Sequence, residues 1–180
     1  MSVLVSRYTL AHRKRWIPAL LPLATLGATC YAAKLPLDAL KARVVGVYAL
    51  AEWHADGQVF RPPMVEGRMV LLNGTIVIVH HNRTKWPTET TLVAFGKYTL
   101  DTDRFGYGYD STSVVTETPS GSSVSHKPLW EGTRSFAISS ERGLVRLRSE
   151  SGKQAFVFGR ADVTYYEGGQ VLLVWRRIPE

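Results

Sequence analysis

The sequence predicts an all-β chain, a single antiparallel up-and-down barrel of about eight to ten strands behind an N-terminal export signal. Three observations predict it. From Val44 onward the chain is a series of short apolar runs, rich in β-branched and aromatic residues, separated by Gly, Asn, Asp and Ser at roughly ten-residue intervals. Beyond Val44, apolar residues nowhere recur at helical spacing over three turns. The connections are short, so sequence neighbours pair as a meander, and closing the sheet removes the exposed edges that an open one would leave.

The first segment is read as a signal. Arg7, Arg13, Lys14 and Arg15 form a basic start without acids, and an apolar run from Trp16 to Ala28 follows. Cys30-Tyr31-Ala32 before Ala33 has the small-residue spacing of a cleavage site. The expected division is residues 1–32 as export signal peptide and 33–180 as barrel domain, exported to a periplasmic or extracellular space. The run is shorter than the ~20 residues of a membrane helix, and Pro18 and Pro22 interrupt it. No membrane span is therefore expected once the signal is removed; an uncleaved anchor and a buried helix are the alternatives. The formal net charge of +7 owes four cations to this segment, and the remainder carries 18 basic against 15 acidic residues. That balance argues against a nucleic-acid partner. Cys30 is the only cysteine, so a chain cleaved after it has no disulfide, cysteine nucleophile or thiolate metal site.

Residues Lys34 to Lys41 read as a short helical turn, and Val44 to Trp53 as a first strand ending at His54-Ala55-Asp56-Gly57. Gln58-Val59-Phe60 is a short run stopped by Pro62-Pro63. Arg68–Leu72 and Thr75–His80 flank Asn73-Gly74, the strongest hairpin signal in the chain, because Asn-Gly tolerates the positive φ angles of a type I′ turn. Thr90–Leu100 and Arg104–Thr116 form the next pair, and in the second Phe105, Tyr107 and Tyr109 share one face opposite Gly106, Gly108 and Asp110. Ser120 to Ser125 has loop composition and belongs to an expected mouth loop over 118–133. Four strands complete the meander: Arg134–Ile138, Leu144–Arg148, Gln154–Phe158 continuing toward Tyr166, and Val171–Arg177. Thr75 to Val79 is apolar on both faces, so one face fills the barrel and the other needs cover from the helical turn or from a second subunit, a homodimer.

Gly46-Val47-Tyr48, Gly67-Arg68-Met69-Val70, Gly96 to Asp101, Pro128-Leu129-Trp130-Glu131-Gly132-Thr133-Arg134 and the final Leu173-Val174-Trp175-Arg176-Arg177 together resemble the bacterial lipocalin-like (calycin-type) domain family over about residues 40–178. The chain departs from that pattern at Tyr48, where Gly-x-Trp is usual, and it lacks the histidine pair before the Pro-Trp loop. The resemblance implies a closed antiparallel barrel with an apolar interior and carries no settled catalytic residues.

The ligand-binding candidates are Tyr48, Tyr98, Tyr107, Tyr109, Trp130 and Arg134. Tyr107 and Tyr109 lead this set, because each joins an apolar ring to a hydroxyl that can orient a ligand. Trp130 and Trp175 either line a cavity or close a barrel end against an arginine stem such as Arg134 or Arg176. His126, Asp110 and Glu52 are the weak acid–base candidates. His80 and His81 point to opposite faces of a strand and cannot chelate one ion together, so no metal and no cofactor are expected. The cluster Arg142, Arg146, Arg148 and Arg160 reads as a solvated face. Three functions compete: an exported module binding a small hydrophobic or amphipathic molecule, an isomerase- or cyclase-type enzyme on the same barrel, and a filled barrel acting as a structural or dimerisation module. Barrel architecture alone does not choose among them.

Overall fold

The computed structural model describes residues 34–126 and 130–179, so the expected export signal over 1–32 lies outside the described residues. One helix, α1 (Leu37–Val44), precedes the strands β1 (Gly46–Ala55), β2 (Gln58–Phe60), β3 (Val65–Leu72), β4 (Thr75–Lys85), β5 (Thr88–Leu100) and β6 (Arg104–Thr118). They are followed by β7 (Gly121–Ser125), β8 (Arg134–Glu141), β9 (Leu144–Ser149), β10 (Gln154–Phe158), β11 (Asp162–Glu167) and β12 (Gln170–Arg177). Ten of these strands form one closed antiparallel barrel in the order β1-β3-β4-β5-β6-β8-β9-β10-β11-β12. β12 returns to β1 through Tyr48↔Arg177, Leu50↔Trp175 and Trp53↔Leu173. β2 and β7 lie off the ring, each folded back on its predecessor.

The turns are where the residue chemistry allows them. Asn73 and Gly74 take φ values of 50° and 75°, the two positive angles that the β3–β4 hairpin requires. Several boundaries differ from the sequence reading. Val44 ends the helix instead of opening a strand. Ser120 to Ser125 is not loop throughout: β7 pairs with the far end of β6, its backbone groups satisfied by Val114 to Thr118. The run from Gln154 to Tyr166 is two strands, because Gly159 turns the chain and its N–H bonds the Asp162 carbonyl at 2.9 Å.

Strand alternation builds the interior. β3 and β9 alternate buried and exposed along most of their length. Tyr48, Phe136 and Phe158 are each about 1% exposed, and Phe105, Tyr107 and Trp175 join them in one core cluster. Each such side chain contributes roughly 1.5–3 kcal/mol by leaving water. Phe105, Tyr107 and Phe136 lie within 5.8–6.3 Å of one another, centroid to centroid. The outer face of β4 and β5 stays apolar as well: Val77 pairs with Phe95 and Val79 with Val93, and Phe95 is 47% exposed.

One end of the barrel is shut by a polar plug beneath α1. Leu40 and Val44 are buried there. Arg177 turns inward and donates to the Val45 carbonyl at 2.7 Å, to the Arg43 carbonyl, and to the Tyr48 hydroxyl at 2.7 Å. The Tyr48 hydroxyl in turn bonds the Val44 carbonyl at 3.0 Å. The guanidinium sits so close to β1 that a Cβ on Gly46, whose φ is 154°, would fall 2.5 Å from Arg177 Nη1. Desolvation pushes the Tyr48 phenol up to about 12, against the lowering influence of Arg177, so it stays a neutral donor at any ordinary pH.

Replacing Arg177 with Leu removes its three hydrogen bonds, to the Val45 and Arg43 carbonyls and the Tyr48 hydroxyl, and leaves the Arg43 carbonyl only the Tyr48 hydroxyl at 3.1 Å. The expected loss is about 3 kcal/mol of unfolding free energy in urea titrations, with Tyr48→Phe costing about 1 kcal/mol.

Candidate functional site

The barrel interior changes character along its axis. In its middle, the space bounded by Met69, Leu71, Ile76, Phe105, Tyr107 and Phe158 is about 20 Å³, room for a single water at most. Toward the end away from α1 it widens into a recess of about 200 Å³. Its floor and walls are Met69, Ile78, Leu92, Phe156, Leu173 and Trp175, and its polar groups belong to His80, Tyr107, Tyr109, Trp130, Arg134 and Tyr165.

Local structure explains why these residues converge. On β6, Tyr107 and Tyr109 project inward with their ring centroids 5.7 Å apart. A bulge at Asp110 follows: Gly96 pairs with Tyr109 and Phe95 with Ser111, leaving Asp110 without an opposite residue on β5. The strands approach so closely there that a Cβ on Gly96 would lie 2.0 Å from the Gly108 carbonyl oxygen. Trp130 packs edge-on against Tyr107 at 5.5 Å and tilted against Tyr109 at 4.8 Å. Arg134 opens β8 opposite Tyr107, and its guanidinium carbon stands 3.6 Å from the centre of the Trp130 ring.

The recess is dry enough to shift its ionisable groups. Burial is the main force raising the phenols of Tyr107, Tyr109 and Tyr165, with Arg134 pulling each of them back down. Tyr107 is pushed up to about 12. His80 follows Ile76 and Ile78 on the inner face of β4 and meets the Trp53 ring edge-on at 4.8 Å. Desolvation, and secondarily the neighbouring His81, lowers its imidazole to about 4. Its Nε2 and the Trp130 Nε1 are buried and have no hydrogen-bond partner among the described residues. Two orphaned polar atoms in one concavity are costly unless something else meets them.

The structure brings together four of the six ligand-binding candidates, Tyr107, Tyr109, Trp130 and Arg134. The other two lie elsewhere. Tyr48 belongs to the plug, and Tyr98 stacks on Phe105 and borders Lys41 and Val45 on the α1 side. The three acid–base candidates are outside the recess. His126 Nδ1 shares a hydrogen bond of 2.9 Å with the Ser113 hydroxyl on the exposed side of β6. Asp110 is the exposed bulge residue. Glu52 faces outward after a register shift at Ala51 and is held by Arg61 at 2.8 Å and His54 at 3.0 Å, which lower its carboxyl below the usual range. His80, Phe156 and Tyr165 were not among the sequence candidates. The alternation Ile76, Ile78, His80 marks the first as inward, and Phe156 and Phe158 share a face in the same way.

The lowered His80 has a consequence for stability. Its folded value of about 4 lies below the ~6.5 of an unfolded chain, so between those limits the unfolded state takes up a proton that the folded state refuses. Stability is full above pH 6.5 and falls by roughly 1.4 kcal/mol per unit on acidification through this window. The other ionisable groups of the recess are Arg134 and the three raised tyrosines, and Glu52 acts at lower pH from outside. Urea unfolding at pH 7 and pH 5 is expected to show about 2 kcal/mol more acid sensitivity in the natural chain than in His80→Leu.

Among the described residues no group of three or more His, Cys, Asp or Glu side chains could hold a metal ion, and no helix is long and apolar enough to cross a membrane. No family model, no curated protein and no solved structure matches this chain.

Proposed function

We propose that this protein binds a small amphipathic molecule in the aromatic recess, as an exported lipocalin-like barrel would. The observation that carries the reading is that Arg134, Trp130 and His80 line one apolar concavity of about 200 Å³, the last two each with a buried ring nitrogen that has no partner among the described residues. Binding sites combine such a mostly apolar lining with a few placed polar groups. The volume limits the guest. An apolar cavity of about 150 Å³ admits benzene, so this recess accommodates one ring with a short polar extension and excludes a long acyl chain.

An isomerase- or cyclase-type activity is the weaker reading. Among the described residues, His80 in the recess lining has its imidazole lowered to about 4, far from the near-neutral value that suits a general base. A structural role through self-association draws on a different observation, the outward stripe of Val93, Phe95 and Val124, each at least 39% exposed. Light scattering at tens of micromolar separates these readings: a monomer argues against the stripe as a dimer face.

Titration with 4-phenyl-1-butanol and 4-phenylbutyrate, followed by tryptophan emission, tests the binding reading. At least one is expected to quench emission saturably, and Leu173→Trp, which fills the recess while leaving the far-ultraviolet circular dichroism unchanged, is expected to abolish the response. The reading fails if neither compound binds saturably and native mass spectra of gently purified protein show no bound small molecule.

A further inference from the structure

The barrel holds two inward arginines in opposite circumstances. Arg177 at the plugged end is spent: its donors reach the Val45 and Arg43 carbonyls and the Tyr48 hydroxyl. Arg134 at the open end stands opposite Tyr107 and forms no ion pair with any carboxylate among the described residues. One face of its guanidinium lies 3.6 Å over Trp130, which fixes the plane and leaves the in-plane N–H groups as its hydrogen-bonding edge. Among the described residues no Asp or Glu lines the recess. A carboxylate influence reaches Tyr107 and Tyr165 from Glu167, exposed at the end of β11 and held by the Gln154 amide at 3.4 Å. The recess therefore presents a positive charge and a fixed fork of donors.

Resting on the binding reading above, we propose that the guest is a monoanionic carboxylate: a single-ring or similarly short apolar acid whose carboxylate sits on Arg134 and whose body fills the space between Leu92, Phe156 and Leu173. A planar carboxylate matches the guanidinium fork through two parallel N–H···O bonds, and a half-buried setting makes such charge-assisted bonds about twice as strong as neutral ones. The raised phenols of Tyr107 and Tyr109 remain protonated, so neither adds a competing negative charge near the headgroup. An amine would meet Arg134 as a like charge and be repelled.

The test is the affinity of the full chain for a matched series, 4-phenylbutyrate, 4-phenyl-1-butanol and 4-phenylbutylamine, by calorimetry at pH 7.5 in the natural protein and in Arg134→Gln and Arg134→Lys. The acid is expected to bind about ten- to a hundredfold more tightly than the alcohol, with the amine weakest. That acid-to-alcohol ratio is expected to fall to near one in Arg134→Gln and to recover partly in Arg134→Lys, which keeps the charge without the fork. An unchanged thermal midpoint excludes misfolding as the cause. Equal binding of acid and alcohol, or a ratio that survives Arg134→Gln, overturns the carboxylate assignment while leaving the binding reading intact. Absence of binding by all three compounds, with native mass spectra free of any small molecule, overturns both.

Discussion

Closure of the sheet between β1 and β12 is the constraint on which the rest of this structure depends. Once Tyr48 pairs with Arg177 and Trp53 with Leu173, every strand of the ten-stranded ring has two neighbours and the inner faces must share one enclosed volume. Side chains then have to be sized against one another around the ring. The aromatic network from Phe105 through Tyr107 and Phe136 to Phe156 and Tyr165 solves that problem by spanning the lumen with rings at centroid separations of 4.7–6.3 Å. Where the network is dense, the space shrinks to about 20 Å³; where it meets the rim, about 200 Å³ is left open.

The two ends of the barrel show how the same residue types serve different purposes. At the plugged end a tyrosine and an arginine complete each other's hydrogen bonds and those of the helix terminus, so the cost of burying a cation is offset on the spot. At the open end a tyrosine and an arginine again meet, but the tryptophan beneath the guanidinium offers its π-face and no acceptor. Arg134, the Trp130 N–H and the His80 Nε2 thus keep bonding capacity in reserve, at a cost to stability that a purely structural barrel would avoid by apolar substitution.

Much of the architecture was legible in the sequence because alternation and turn chemistry are local. Asn73-Gly74 marks its own hairpin, and Phe105-Gly106-Tyr107-Gly108-Tyr109 declares an aromatic inner face. What escaped is what depends on register. Strict alternation from Tyr48 and Leu50 places Glu52 inside; the shift at Ala51 puts Trp53 there instead and hands Glu52 to Arg61 and His54 on the outer surface. The bulge at Asp110 does the same on β6, returning Thr112 to the buried side. Bulges arise from how neighbouring strands fit, as in the Gly96–Gly108 approach, and a single sequence shows only the glycines that permit them. His80 escaped for a different reason: the adjacent His81 invites a question about metals, whereas its alternation with Ile76 and Ile78 answers the one about direction.

The register shift in β1 decides what the recess can do. By turning Glu52 outward, the shift in β1 leaves the open end with the Arg134 cation and, among the described residues, without an acidic side chain in its lining. Had Glu52 kept its alternation, a carboxylate would stand on the inner face of β1 where Trp53 now meets His80, and an imidazole–carboxylate pair would be available for proton transfer. Instead His80 is held neutral against an indole edge by burial. The interior that results favours capture of a negative headgroup over acid–base chemistry, and one backbone irregularity in β1 accounts for much of that difference.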